Sequence, residues 1–480
     1  MEKIMVGWSQ KDITPDKRVN LFGHFAERLT DKVRDPITAT ALFIGTRTDY
    51  AVMVSCDLCI IYQEVIDRCR KEIKKELPDI DEKKVIFNAT HTHDAPGVAS
   101  RFYPPVPEGA MSPEEYGDFF VKKATEAVKE AWQTRKRSSV SWAWGQAVVG
   151  HNRRAVYFEK PGAGKKSAGT IIHGTSAMYG RTDVPEFSHI EGYEDHGVDM
   201  LFTWNGKKKL TGVIVNIACT SQETEGLREI SADFWHEARN EIRKRLGENI
   251  YILPQCAAAG DQSPHLLLNK KARDRMLSLK GVTMREEIGR RIADAVEEAL
   301  PYAEKDRRDS LPFKHAVKKV PLKRRVIKEA EIQLIKKEYQ DLQKREAKNH
   351  KEEYVRQIYL GRCRNAMERY RLQKTSPAYP TEVHALQIGD VALATNQFEL
   401  YLDYGLRIKA RSPFIQTFIV QLSGSGTYLP TEKGMKGAGY SASAYDNIVG
   451  PEGGRQLVEG TLSMLNRLAA GGTKHGQPRK

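Results

Sequence analysis

Short apolar runs and amphipathic stretches alternate along the first half of the chain. Ala41 to Gly45, Ala51 to Cys56 and Val85 to Ala89 are apolar or β-branched and end in polar turns, the pattern of strands. Val65 to Glu76 and Pro113 to Trp132 carry apolar residues at helical spacing. The second opens with a proline and two glutamates, as helix starts favour. Ser139 to Val149 predicts another strand, and Asp199 to Trp204, Asn205-Gly206 and Leu210 to Ala218 read as a hairpin. Ile230 to Leu246 and Thr283 to Leu300 predict helices on either side of a strand at Tyr251 to Gln255. Glu329 to Gln373 is one long helical pattern, an insertion or hairpin with Ile335, Tyr339 and Leu342 on one side and Lys/Glu pairs on the other. Strands return at Glu382 to Ile388, Val391 to Thr395 and Phe414 to Leu422. Between Tyr157 and His196 periodicity is weak over a long stretch containing Gly, Ser and His. A loop of that length in a compact domain is disordered or functional, often a lid. With no internal repeat and no clean linker, the pattern predicts one α/β domain over 1–480. Its mixed sheets carry flanking helices, and a basic helical insertion occupies 305–373.

Composition narrows the class. At 40% hydrophobic and 29% charged, the 480 residues exclude collagen-like, disulfide-scaffold and wholly disordered chains. No run approaches the ~18 apolar residues of a spanning helix. The start MEKIMVGWSQ lacks a basic-then-apolar leader, so the expectation is a cytoplasmic protein, or an exported one if a signal peptide has been removed. The balance is 76 basic minus 62 acidic, or +14, and residues 305–350 alone contribute 15 minus 7, or +8. Such a surplus serves nucleic acid, anionic membrane or an acidic ligand. Here glutamates interleave at helical spacing without stacking aromatics, which favours a solvated helix face and argues against nucleic acid. The six cysteines (56, 59, 69, 219, 256 and 363) show no disulfide framework. Cys56 and Cys59 form a C-x-x-C at the end of an apolar run, with no second Cys/His pair to complete a zinc site.

Several segments carry candidate chemistry. FNATHTHDAPG, 87–97, follows a predicted strand; His91 and His93, two apart, project to one side of an extended segment. Imidazole serves both as zinc ligand and as acid/base, and Asp94 is placed to orient one of the two rings. GDQSP, 260–264, follows a strand and three alanines, and sets Ser263 at a strand-to-loop turn where small residues admit a close approach. It is not a G-x-S-x-G elbow, because Asp261 and His265 hold the glycine places. PGAGKKS, 161–167, lacks the phosphate-loop spacing, with Glu159 and Lys166 at the required Gly and Ser/Thr places. Glu399 stands among apolar neighbours just after a strand, so it must be paired, protonated or metal-bound. The Gly-rich segment 428–440 ends in Tyr440.

Taken in order, these segments resemble the neutral/alkaline non-lysosomal ceramidase family of zinc amidohydrolases, with an α/β catalytic domain. GWSQKDITP is similar to the family's start. THTHDAPG resembles T-H-T-H-S-x-P-G-G, with Asp94 for Ser and Val98 for the second Gly, and HNRRAVY resembles N-R-S-x-x-A-Y with Arg154 for Ser. GDQSP resembles G-D-x-S-P, and Glu399 stands six residues before Gly405 as in G-E-F-T-x-x-x-G. The stretch from Tyr428 to Tyr440 is similar in length to the family's run from Y-V-T-T to the metal-binding Tyr. The resemblance runs from about Val6 to Gly454. It implies Zn²⁺ held by His91, Glu399 and Tyr440, with His93 as second active-site histidine, Ser263 as active-site serine and Arg153 as active-site arginine. Where the family has a second zinc histidine in H-P-T-S, this chain reads CTSQ with Cys219, while His236 replaces a glycine at the next helix start. Cys219 or His236 is the expected replacement ligand, with His236 preferred. Further departures, namely no following β-sandwich domain, the added 305–373 segment and the bulky Trp235-His236 pair, point to a smaller, more polar N-acyl or acyl substrate than ceramide. The alternative is a fold member that binds a polyanion through its basic helical region.

Overall fold

The computed structural model describes residues 2–158 and 174–472. The 161–167 segment lies within 159–173, the part of the Tyr157–His196 loop that is outside the described residues. The α/β class is as the apolar pattern predicts. Three sheets carry most of the strands. The first runs in the order Val85–Ala89, Tyr50–Cys56, Thr38–Gly45, Met5–Asp12, Lys136–Arg137. The second runs Tyr251–Cys256, Leu210–Ile217, Gly197–Trp204, Ser139–Gln146, and the third Phe313–Lys323, Ala378–Ile388, Val391–Thr395, Gln416–Val420. Each mixes parallel and antiparallel neighbours. In the first, Tyr50–Cys56 pairs antiparallel with Thr38–Gly45 and parallel with Val85–Ala89.

Each sheet buries two faces. On one face of the first, Phe43, Val52 and Val54 pack with Val65, Ile66, Phe120 and Ala124 of the helices Gln63–Glu76 and Pro113–Gln133. The helices Phe234–Leu246 and Met284–Ala303 cover the second sheet in the same way, and Leu402–Arg411 with Pro451–Gly472 covers the third. The remaining faces meet in one shared core, with Leu42 and Met53 from the first sheet, Leu201 and Ile214 from the second, and Leu386 and Phe418 from the third. Strands buried on both sides read as continuous apolar runs, which is why those at 85–89 and 391–395 match the sequence reading to the residue.

The expected helical insertion at 305–373 divides differently. Phe313–Lys323 is a strand that pairs with Ala378–Ile388 over eleven positions, Phe313 through Lys323. Its lysines mimic a solvated helix face, but Phe313, His315, Val320 and Leu322 are buried while Lys314, Lys319, Pro321 and Lys323 stay exposed. The helical part is a hairpin, Glu329–Lys344 and His350–Thr375, closed on Ile332, Ile335, Leu342, Leu360 and Cys363. Within the weakly periodic 157–196 stretch, Ser176–Met178 and Phe187–Ile190 pair on either side of Arg154–Tyr157.

Two buried histidines join the first and third sheets. His315 Nε2 is 2.9 Å from His384 Nδ1, and His315 Nδ1 is 3.0 Å from the Tyr50 carbonyl oxygen. Burial pushes the His315 pKa down to about 3, and the charges of His384, Lys84 and Arg70 push the same way. Burial also lowers His384, although Glu382 opposes it. Below pH ~6.5 the unfolded chain takes up protons that the fold refuses, so stability falls as pH drops from there toward 3, by up to about 1.4 kcal/mol per unit for one such group. Thermal unfolding between pH 7 and pH 4 is expected to show a shallower loss of Tm for His315→Gln than for the wild-type protein. Parallel profiles would remove His315 as the cause.

Candidate functional site

The site begins where the strand Val85–Ala89 runs out. Backbone bonds from Thr90 N to the Cys56 carbonyl and from His91 N to the Leu58 carbonyl, both 2.9 Å, carry the chain into the next loop. The Thr92 hydroxyl donates to the Ser231 carbonyl and the Ser221 hydroxyl to the Thr90 carbonyl, each at 2.9 Å. These bonds hold His91 at φ 68°, a conformation that a side chain of this size adopts only under constraint. His91 Nδ1 lies 2.7 Å from the Cys59 carbonyl oxygen. That oxygen can only accept, so Nδ1 carries a proton and Nε2 is the nitrogen turned toward Glu399.

His91 Nε2 lies 3.4 Å from Glu399 Oε2. Glu399 opens the short strand Glu399–Leu400, which pairs in parallel with Tyr428–Leu429. Burial raises the Glu399 pKa, but His91 and Arg153 outweigh it and hold the carboxyl below the usual range. Glu399 Oε2 is buried with no hydrogen-bond partner among the described residues. Tyr440 lines the same cavity as Glu399 and Tyr428, with a volume of about 360 Å³. The Tyr428 and Tyr440 rings are 5.5 Å apart, and burial pushes both phenols up.

Zinc bonds to nitrogen and oxygen of 2.0–2.2 Å, at a tetrahedral angle, separate ligand atoms by roughly 3.3–3.6 Å. The His91 Nε2 to Glu399 Oε2 distance fits that spacing, and the orphaned oxygen is the ligand atom. Neither expected replacement ligand is brought to this point by a contact. Cys219 Sγ faces the Thr220 carbonyl at 3.4 Å within the apolar cluster of Val215, Ile217 and Trp235, and burial pushes its thiol well up. His236 stands in the first turn of Phe234–Leu246, where its Nε2 meets Asn240 at 2.9 Å and its Nδ1 is 4.0 Å from Asp35. What does gather at His91 is Cys59 with His93, their ligand atoms all within 4.8 Å. Burial pushes the Cys59 thiol up, but His91 and His93 bring it down to about 6. Its signal in the sequence was the C-x-x-C, read there as packing.

His93 Nδ1 is 2.9 Å from Glu225 Oε2, and the Gln222 amide donates to His93 Nε2 at 2.9 Å. Burial lowers the His93 pKa, but Cys59 and Glu225 raise it to about 9. Asp94 orients neither ring; it pairs with Arg28 at 3.1 Å and accepts from the Thr224 hydroxyl at 2.8 Å. Arg153 ties the site together, donating to the Tyr179 hydroxyl at 2.8 Å, Gln222 Oε1 at 3.0 Å and the Gly260 carbonyl at 3.0 Å. Ser263 is fully buried opposite His151, and its hydroxyl oxygen accepts from the His265 N–H at 3.2 Å. Gln222 closes the CTSQ segment and Glu225 follows three residues on, and nothing in their spacing marks them out.

No family model and no curated protein matches the chain. Among solved structures it is similar to the neutral ceramidase from Pseudomonas aeruginosa, with a TM-score of 0.68 and 15% identity over 97% of this chain and 75% of that one. It is also similar to a ceramidase complexed with C2, with a TM-score of 0.66 and 14% identity over 100% of this chain and 78% of that one. At such identity the likeness is one of fold, and the α/β architecture is ceramidase-like.

Gly260 sets the approach of the Glu399 strand. Its N–H donates to the Leu400 carbonyl at 2.7 Å, and a Cβ there would sit 2.3 Å from the Glu399 carbonyl oxygen. Gly260→Ala is expected to cost ~1–3 kcal/mol in denaturant unfolding, since backbone must move. An unchanged midpoint would show that the strand has slack.

Proposed function

We propose that this protein is a zinc-dependent hydrolase of an N-acyl amide or related acyl bond. One observation carries the reading: a histidine whose outer nitrogen is tied to a carbonyl presents Nε2 3.4 Å from a buried carboxylate oxygen that has no donor. The ceramidase-like fold supports it. His91 and Glu399 would hold the ion, with Tyr440 beside them. When bound, zinc supplies Lewis-acid polarisation of the scissile carbonyl and a lowered pKa for water. His93, which Glu225 holds protonated near neutral pH, gives its proton to the leaving amine. Arg153 offers a fixed, fully charged donor to the developing oxyanion. Ser263 touches the His265 N–H, and Tyr179 lies beside it. Neither group takes a proton near neutral pH, which favours water over Ser263 as nucleophile.

The substrate reading follows the cavity wall. The hairpin helix His350–Thr375 lends it Arg362, Asn365, Glu368 and Arg369, and the opposite side carries Phe25 and Tyr440. A wall of charge and aromatic rings suits a small polar N-acyl compound better than a long acyl chain. The expected narrowing by Trp235 and His236 does not contribute, because Trp235 is packed in the core of the second sheet and His236 lies on its covering helix.

His91→Ala and Glu399→Gln are each expected to lose one equivalent of bound zinc together with hydrolysis, while Cys219→Ser and His236→Ala keep the wild-type zinc content. Arg153→Lys should lower kcat ~10²-fold or more with little change in KM. A zinc content in Glu399→Gln equal to that of wild type would sink the metal assignment. Turnover measured on short N-acyl amino acids, N-acetyl sugars and ceramides is expected to favour the polar amides; a ceramide rate above all of them would overturn the substrate class.

A second reading has its own observation. Lys71, Lys83, Lys318 and Lys319 line a cavity of about 800 Å³ and form no ion pair among the described residues. Such a groove suits a polyanion. The Lys318→Glu/Lys319→Glu protein should then elute from heparin at lower salt than wild type, and identical elution would dismiss the groove. A metal-free wild-type protein retained on heparin at physiological salt would favour this reading over hydrolysis.

A further inference from the structure

Three imidazoles converge on one carboxylate next to the proposed centre. Glu225 Oε2 lies 2.9 Å from His93 Nδ1 and 3.4 Å from His24 Nε2, and Glu225 Oε1 lies 3.3 Å from His265 Nε2. The ligand atoms of His24, His93 and Glu225 all fall within 4.8 Å of one another. Behind them Glu223 Oε2 stands 3.8 Å from His265 Nδ1, buried and without a hydrogen-bond partner among the described residues.

The backbone is shaped for this convergence. Gly23 adopts φ +95°, and a Cβ on it would come within 2.6 Å of the His93 ring, so glycine lets the chain carry His24 against His93. The two rings meet edge to face with centroids 5.4 Å apart. The Thr224 hydroxyl, between the two glutamates, is anchored on Asp94 at 2.8 Å and Asp233 at 2.7 Å.

Charge then selects the occupant. Arg28 is committed to Asp94 and to the carbonyls of Phe22, Glu225 and Leu227. Glu223 and Glu225 have no lysine or arginine ion pair among the described residues. A divalent ion placed among these atoms offsets the carboxylate charge and accepts imidazole lone pairs. We infer that His24, His93 and Glu225, backed by His265 and Glu223, form a second metal site, distinct from the His91–Glu399 pair. A nitrogen-rich donor set selects a first-row transition ion such as zinc over magnesium or calcium. The ion takes His93 through Nδ1, so a loaded second site withdraws this ring from the acid role given it above.

The test is stoichiometry on the full chain, stripped with chelator and titrated with Zn²⁺ by calorimetry, with Co²⁺ absorption as an independent readout. Two equivalents are expected for wild type, one for His24→Gln, one for Glu225→Gln, one for Glu399→Gln, and none for the Glu225→Gln/Glu399→Gln double variant. If His24→Gln and Glu225→Gln, shown folded by circular dichroism, bind as much Zn²⁺ as wild type, the second site is overturned whatever Glu399→Gln does. If Glu399→Gln binds as much as wild type while Glu225→Gln loses one equivalent, the hydrolase reading falls and this inference stands. Should Glu225→Gln fail to fold, His24→Gln, altered at a partly exposed side chain, decides.

Discussion

The hydrogen bond from His91 Nδ1 to the Cys59 carbonyl is the constraint on which the site depends. It fixes the orientation of the ring, and with it the nitrogen that faces Glu399. The bond exists because two strands of one sheet end side by side: Cys56 closes one and Ala89 the other, and they are parallel neighbours in register. The loops that leave these two ends supply the carbonyl and the ring respectively. A left-handed backbone at His91 is tolerated because those loops are already pinned at Cys56, Leu58, Ser221 and Ser231.

How much of this was legible in the sequence depended on whether a residue's role was local. The strands at 85–89 and 391–395 declare themselves through unbroken apolar runs, and a hairpin was visible around Asn205-Gly206. The site residues that sit at strand ends, His91 and Glu399, carried a signal for the same reason. Phe313–Lys323 misled because its exposed face is lysine-rich and its partner strand lies some sixty residues further on, so that pairing is invisible locally. Glu225, Gln222 and His24 gave no signal at all. Their meaning comes from a loop-to-loop meeting, and a glutamine in CTSQ looks like any polar turn residue until Arg153 and His93 are seen on either side of it.

The hairpin Glu329–Thr375 shows how such a fold acquires a different cavity wall. Its inner face closes on itself and on Ala444 and Tyr445, so it adds its own small core and takes little from the three sheets. Its outer contribution is a set of side chains at the cavity: Arg362 pairs with Asp446 and lies 4.8 Å over the Phe25 ring. Cation and ring together place charge and an aromatic face on the cavity, and the strands beneath need not change to receive them.

The shared core has a thermodynamic meaning that contact lists hide. His91 hangs from the first sheet, Gln222 follows a strand of the second, and Glu399 follows a strand of the third, while the inner faces of all three sheets are one another's solvent shield. No sheet can open alone without wetting the other two, so partial unfolding that frees one site residue is expensive, and excursions of the site are coupled to the global transition. A ligand that bridges residues of separate sheets therefore acts as a cross-brace. Its binding free energy is returned as stability of the whole molecule and not of one loop, and loss of the ligand would be felt as far away as strands that never touch it.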